Sequence, residues 1–390
     1  MAVLAGARMV TPEGVVDGWL EVSGRRIAAL GPGGPPGPAD RDLGGQWLVP
    51  GFVDMHVHGG ARASYMSGNR VDAASVADLH RRHGTTTTMA SLVTGTEDVL
   101  ADAVSSLAEM VDDGLLAGIH LEGPFLARER CGAHDPSLLR APEPALVERL
   151  LAAGRGTVRM VTVAAELPHA ADAVRRITGA GAVAAVGHTD AAYDQTRAAI
   201  DAGATVATHL FNAMRPLHHR EPGPVPALLE DGRVTVELIC DGVHLHPAVV
   251  RTAIAAAGAD RVALVTDAMA AAGAGDGDYV LGALAVRVQN GVARLVEGGA
   301  IAGSTLTMDS AFRFAVEAGV PVEDAVRMSS TNPARLISVS ERVGSVAVGL
   351  DADLVVLDER FARTAVMFKG SWLDPPRQPG SVVGPHPQHV

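Results

Sequence analysis

LAGIHLEGP, residues 116–124, is a short apolar run that ends on a carboxylate, Glu122, just before a Gly-Pro break. A buried strand that delivers a polar residue at its C-terminal end and then turns is how a parallel βα barrel presents its chemistry. Seven further runs share this strand character. GFVDMHVHG (51–59) and GTTTTMAS (84–91) precede it. VRMVTVAAE (158–166), AVAAVGHTD (182–190), ATVATHLFN (204–212), TVELICDGVH (235–244) and RVALVTDAM (261–269) follow. Between them lie helical patterns such as VDAASVADLHRRHG (71–84) and YDQTRAAIDAG (193–203), each closed by a glycine. Eight such units predict a TIM-type (β/α)8 barrel over residues 50–342.

The flanks read differently. VVDGWLEVSG (15–24) with RRIAALG (25–31) is hairpin-like, and VGSVAVGLDADLVVLD (343–358) and RTAVMFKGSWL (363–373) are again strand-like. Residues 1–49 and 343–390 are therefore expected to pair into one small β-sandwich domain. YVLGALAVRVQNGVARLVEGG (279–299) alternates around Asn290-Gly291, a turn signal that predicts a β-hairpin insertion at about 279–300 on the barrel rim. The last stretch, GSVVGPHPQHV (380–390), is expected to be loosely ordered.

Composition narrows the function classes. With 47% hydrophobic residues the chain is globular, and a net charge of −12 argues against a general nucleic-acid binder. An anionic ligand would have to be met by a few local arginines. Two cysteines, Cys131 and Cys240, make no disulfide framework, which points to a reducing cytoplasm. The start, MAVLAGARMVTPEG, lacks the pattern of a signal peptide, and no apolar run is long enough to span a bilayer.

In six of the eight strands a histidine or acid falls at or near the C-terminal end: His56 and His58, Glu122, His188, His209, His244 and Asp267. A barrel assembles its site from that rim, and imidazoles with a carboxylate suit a divalent metal, with zinc the expected ion for these donors. The reading assigns Glu122, His188 and His209 as ligands. The H-x-H pair points both side chains to one face, to hold a second metal or to line the pocket. His80, His83 and His169 read as structural, Cys131 as a loop thiol near the pocket mouth and Cys240 as a buried strand residue.

GFVDMHVHG, THLFNAM (208–214) and TDAM (266–269) resemble the amidohydrolase superfamily. Within it, HLEGPFL (120–126), GAH (132–134), VGHTDA (186–191), THLFNAMRPLHHREPG (208–223), CDGVHLHP (240–247), TDAMAAAG (266–273) and AGSTLTM (302–308) are similar, in order, to the N-acetylglucosamine-6-phosphate deacetylases. The resemblance implies hydrolysis of N-acetyl-D-glucosamine 6-phosphate to D-glucosamine 6-phosphate and acetate by a metal-bound hydroxide. One or two ions per chain are compatible with it. It implies Asp267 as general base and acid, and His134 as a substrate contact that can face the oxyanion. It also implies sugar contacts from Ala133, His244 and the segment Ile301, Ala302 and Gly303. Phosphate would be held by the backbone of Asn212 and Ala213 and by Arg220, supplied across a homodimer interface. Lys369 is the single lysine and lies outside the barrel, so the carbamylated lysine that bridges two metals in dihydroorotases and hydantoinases is not available here. Two rivals stand beside this reading: a deacetylase of N-acetylgalactosamine 6-phosphate or another N-acyl sugar, and a sugar-phosphate sensor without chemistry.

Overall fold

The computed structural model describes residues 1–374, and the tail 380–390 lies outside the described residues. The chain forms two compact units, Phe52–Gly344 and Met1–Gly51 with the described part of Ser345–Val390.

In the larger unit the parallel strands are Phe52–Asp54, Thr85–Thr88 with Ala90–Leu92, Ile119–Glu122, Val158–Val163, Val183–Val186, Val206–Ala207, Thr235–Ile239 and Val262–Val265. Seven of them, from Ala90–Leu92 to Val262–Val265, pair in sequence order, and Phe52–Asp54 pairs with Thr85–Thr88. The ring closes past the ends of the first and eighth strands. There the Asp267 N–H donates to the His56 carbonyl at 2.9 Å and the His58 N–H to the Ala268 carbonyl at 2.8 Å. Asp54 reinforces this seam by accepting from the Thr266 hydroxyl at 2.5 Å, and burial pushes its carboxyl up to about 7.

The strands read as near-continuous apolar runs because both faces are covered, one by the barrel interior and the other by helices. Helix Arg70–Arg82 starts where Asn69 accepts from the Asp72 N–H, and helix Glu97–Asp112 starts at Thr96. The latter buries Leu100, Val104 and Leu107, one helical face, each contributing about 1.5–3 kcal/mol of transfer free energy. Among the described residues no helix is long and apolar enough to cross a membrane.

Between the eighth strand and helix Met308–Glu317 stands a three-stranded antiparallel sheet, Gly277–Leu281, Leu284–Gln289 and Val292–Leu295. Its second turn is the expected Asn290-Gly291, with positive φ at both residues (52° and 74°), as a tight primed hairpin turn demands. The first turn, at Gly282, adds a strand that the hairpin reading did not separate.

The smaller unit is one continuous eight-stranded sheet. Ala2–Thr11, Gly14–Ser23 and Arg26–Pro32 form an antiparallel meander; Trp47–Pro50 runs parallel to the first of these and antiparallel to Leu354–Leu357, which continues into Arg363–Phe368 and Ser371–Asp374. Leu20, Leu48, Val356 and Met367 share one core, so the sheet wraps its own apolar face in the manner of a sandwich without breaking into two sheets.

Candidate metal centre

His188, His209 and Asp267 each lie two residues beyond a barrel strand, after Val183–Val186, Val206–Ala207 and Val262–Val265. All three have positive φ, 50°, 25° and 49°. Non-glycine residues hold that conformation at a cost, and such strain gathers where function requires it. Here it swings three side chains into the barrel mouth, where all three line one cavity of about 320 Å³. Glu122 ends its own strand, followed by Gly123 at φ 100°. A Cβ on Gly123 would stand 2.3 Å from the Thr94 hydroxyl, so only glycine lets the chain pass there.

The ligand atoms converge in two overlapping groups. His188 Nε2, His209 Nε2 and Glu122 Oε1 are separated by 3.1, 2.9 and 3.2 Å. His56 Nε2, His58 Nε2 and Asp267 Oδ1 are separated by 3.2, 3.1 and 3.4 Å. Glu122 bridges the groups, its Oε1 lying 3.4 Å from His56 and its Oε2 3.1 Å from His58. Donors held ~2.0–2.1 Å from a tetrahedral zinc stand about 3.4 Å apart, so both triangles have the dimensions of a small-cation site.

Proton placement supports the same conclusion. His58 Nδ1 faces the Ser91 carbonyl at 3.1 Å and His188 Nδ1 faces the Arg130 carbonyl at 2.8 Å. Carbonyls only accept, so both rings carry a proton at Nδ1, and in the neutral ring Nε2 is then bare. His56 Nδ1 faces the Glu237 carboxylate at 3.0 Å, with the same result. In their neutral forms His56 and His58 would aim two lone pairs at each other across 3.2 Å, so either a proton or a cation must lie between them. His209 Nδ1 is buried with no hydrogen-bond partner among the described residues.

Charge points the same way. Burial would raise the Glu122 carboxyl, but the charge of His56, the His134 Nε2–H and the close approach of the His188 and His209 rings hold it well below the usual range. Burial likewise opposes ionisation of Asp267, yet His56 and His58 keep it at about 2. His58 is pushed up to about 9 against its burial by Asp267 and Glu122, whereas burial lowers His188 to about 4. Two ionised acids among packed imidazoles call for positive charge, which protons or a bound cation can meet.

His134 is wired in the opposite sense. The Thr94 N–H donates to its Nδ1 at 3.2 Å, so the proton sits on Nε2, 3.3 Å from Glu122 Oε2. Although His134 lies as close to Glu122 and His188 as a ligand would, its tautomer makes it a hydrogen-bond donor aimed into the cavity. His244 donates Nδ1–H to Asp241 at 2.7 Å and also lines the cavity.

Of the remaining sequence candidates, Ala133, Asn212, Ala213, Ile301 and Gly303 line the cavity. The Asn212 N–H is already taken by the His209 carbonyl at 3.0 Å. Ala302 is not brought to the cavity: it is fully buried under the three-stranded sheet and its N–H donates to the Ala293 carbonyl. Alternation explains this, since neighbours in extended chain face opposite ways. Arg220 is exposed, contacts His219 and is absent from the cavity wall of its own chain. His80 is buried and lowered to about 4 by burial, His83 meets Asp309 and His169 is exposed, all structural places. Cys131 is half-buried beside the lining residues Arg130 and Gly132, and burial pushes Cys240 up to about 12. Residues the sequence reading missed are Arg130, Leu281 and Ala300 on the wall and Glu237 behind the metal centre. A carboxylate inside the apolar run TVELI was the visible signal for the last.

A closed βα barrel whose strand ends gather histidines and acids at cation spacing defines a metal-dependent hydrolase scaffold, and this chain belongs to the amidohydrolase family, whose model matches residues 47–373. Particular relatives are similar over nearly the whole chain. The N-acetylgalactosamine-6-phosphate deacetylase of Escherichia coli O157:H7 is 39% identical over 378 residues, 94% of this chain and 98% of its own. The N-acetylglucosamine-6-phosphate deacetylase of Lysinibacillus sphaericus is 35% identical, covering 81% and 82%. The crystal structure of N-acetyl-D-glucosamine-6-phosphate deacetylase from Mycobacterium smegmatis superimposes with a TM-score of 0.92 at 51% identity, covering 96% of this chain and 100% of that one. A mutant of that enzyme was crystallised with N-acetyl-D-glucosamine-6-phosphate.

Proposed function

We propose that this chain hydrolyses N-acetyl-D-glucosamine 6-phosphate to D-glucosamine 6-phosphate and acetate, as its similarity to the deacetylases suggests. The observation that carries the reading is the contrast around Glu122: His56, His58 and His188 have Nδ1–H engaged behind them, which leaves Nε2 to face a cation, whereas His134 has its proton forward on Nε2.

Glu122, His188 and His209 would hold one divalent cation, and His56, His58 and Asp267 with Glu122 a second. Zinc suits this nitrogen-rich set. When bound, such an ion polarises an amide carbonyl and acidifies water. The chain's own groups do the rest. Asp267, ionised at neutral pH, accepts the proton of the attacking water and returns it to the departing sugar amine. His134 donates its Nε2–H to the oxygen of the acetyl group as negative charge develops there. His244, its Nδ1 proton held by Asp241, accepts from a sugar hydroxyl, and Ala133, Ile301 and Gly303 wall the sugar.

Phosphate recognition falls to the Asn212–Ala213 turn, where the Ala213 N–H would donate because that of Asn212 is engaged by His209, and to Arg220 of a second copy in a homodimer. Arginine matches phosphate through its planar fork, and its exposure in the single chain leaves it available to a neighbour. Two unpaired cysteines suit work in a reducing cytoplasm.

The test is acetate release from zinc-loaded protein on the glucosamine and galactosamine 6-phosphates, with and without chelator. Chelator-sensitive release favouring the glucosamine epimer is expected. Preference for the other epimer would put the chain with its Escherichia coli relative, and no release from either would leave the sensor reading.

A further inference from the structure

Glu237 is the third residue of the barrel strand Thr235–Ile239, wholly buried in an otherwise apolar and threonine stretch. A carboxylate there is costly unless it is paired. Its pairing is narrow. Oε2 accepts from His56 Nδ1 at 3.0 Å and from the His209 backbone N–H at 3.0 Å, while Oε1 has no hydrogen-bond partner among the described residues. Both of these bonds run to the metal centre. His58 and His188 are backed by carbonyls of Ser91 and Arg130, so among the four cluster histidines His56 is the one backed by a carboxylate.

We propose that Glu237 is a positioning residue for the metal centre: it accepts a hydrogen bond from the Nδ1–H of His56, fixes the tautomer whose Nε2 lone pair faces the His58–Glu122–Asp267 group, and with the same oxygen anchors the left-handed backbone at His209. This rests on the metal-dependent reading above. The mechanism is specific. A carbonyl orients a ring, whereas a carboxylate also makes the imidazole a stronger donor to a cation. An amide in its place can turn its NH2 toward Nδ1, which moves the ring proton to Nε2 and blocks the lone pair.

Zinc titration of the metal-stripped full chain against a chromophoric chelator tests this, with cobalt(II) absorption reporting the ligand field. Glu237→Gln should melt like the parent and lose roughly ten- to a hundredfold in affinity for one ion. In a His56→Asn background the same change should cost less than about twofold, because the route through the ring is gone and the amide oxygen of glutamine can still accept from the His209 N–H. Unchanged zinc affinity in Glu237→Gln, or an equal cost in both backgrounds, would overturn the proposal. Should the variant not fold, ¹⁵N NMR of zinc-loaded parent protein decides: His56 protonated at Nδ1 supports the assignment and at Nε2 refutes it. A parent protein that takes up no zinc would instead bring down the metal-dependent reading itself.

Discussion

The His56–His58–Asp267 group and the His188–His209 group share Glu122 and are built on different principles. The first belongs to the barrel seam. His56 and His58 spend their backbone carbonyl and N–H closing the ring, and both rings are backed from inside, by Glu237 and Ser91. The second hangs on turns. His188 and His209 follow their strands through left-handed kinks, His188 is backed by a loop carbonyl, and His209 Nδ1 has no partner among the described residues.

Changes at the shared residue should erase the distinction. Glu122→Gln is expected to strip cations from both groups and to cost more turnover than the ~10⁴-fold upper range for losing a general base, read as metal content and acetate release together. Retention of two ions would show that the groups do not depend on their common carboxylate. Asp267→Asn comes next: turnover should fall by roughly 10²–10⁴-fold while calorimetry still detects sugar-phosphate binding. Full turnover in that variant would remove Asp267 from proton transfer. His134→Ala should lower kcat by about 10²–10³-fold with metal content untouched, since its proton faces forward. A lost ion there would make it a fourth ligand beside Glu122, His188 and His209. The smallest change is at Arg220→Ala, expected to raise KM for the phosphorylated sugar by roughly ten- to a hundredfold and to spare the unphosphorylated one. Equal effects on both sugars would deny it a part in reading phosphate.

Much of this centre was legible because its residues stand where an apolar run stops. Glu122, His188, His209 and Asp267 are each a polar residue at a strand's end, and their meeting follows from barrel geometry alone. Glu237 escaped because it sits within its run, where a linear reading sees only a strand. Ala302 was drawn into the site by its neighbours Ile301 and Gly303, although extended chain sends alternate residues to opposite faces. Pairing was harder to read than existence. The terminal strands were visible as strands, yet nothing in a linear pattern distinguishes two facing sheets from one that wraps, because that depends on Trp47–Pro50 joining strands from both chain ends. Arg220 lies beyond both readings, as its proposed role needs a neighbouring molecule.

The seam between Asp267–Ala268 and His56–His58 carries one last consequence. During synthesis His56 and His58 emerge early, whereas Asp267 can join them only once the eighth strand has left the ribosome and met the first. A partly made chain thus lacks the full set of His56, His58, Glu122 and Asp267, which closure of the ring brings together.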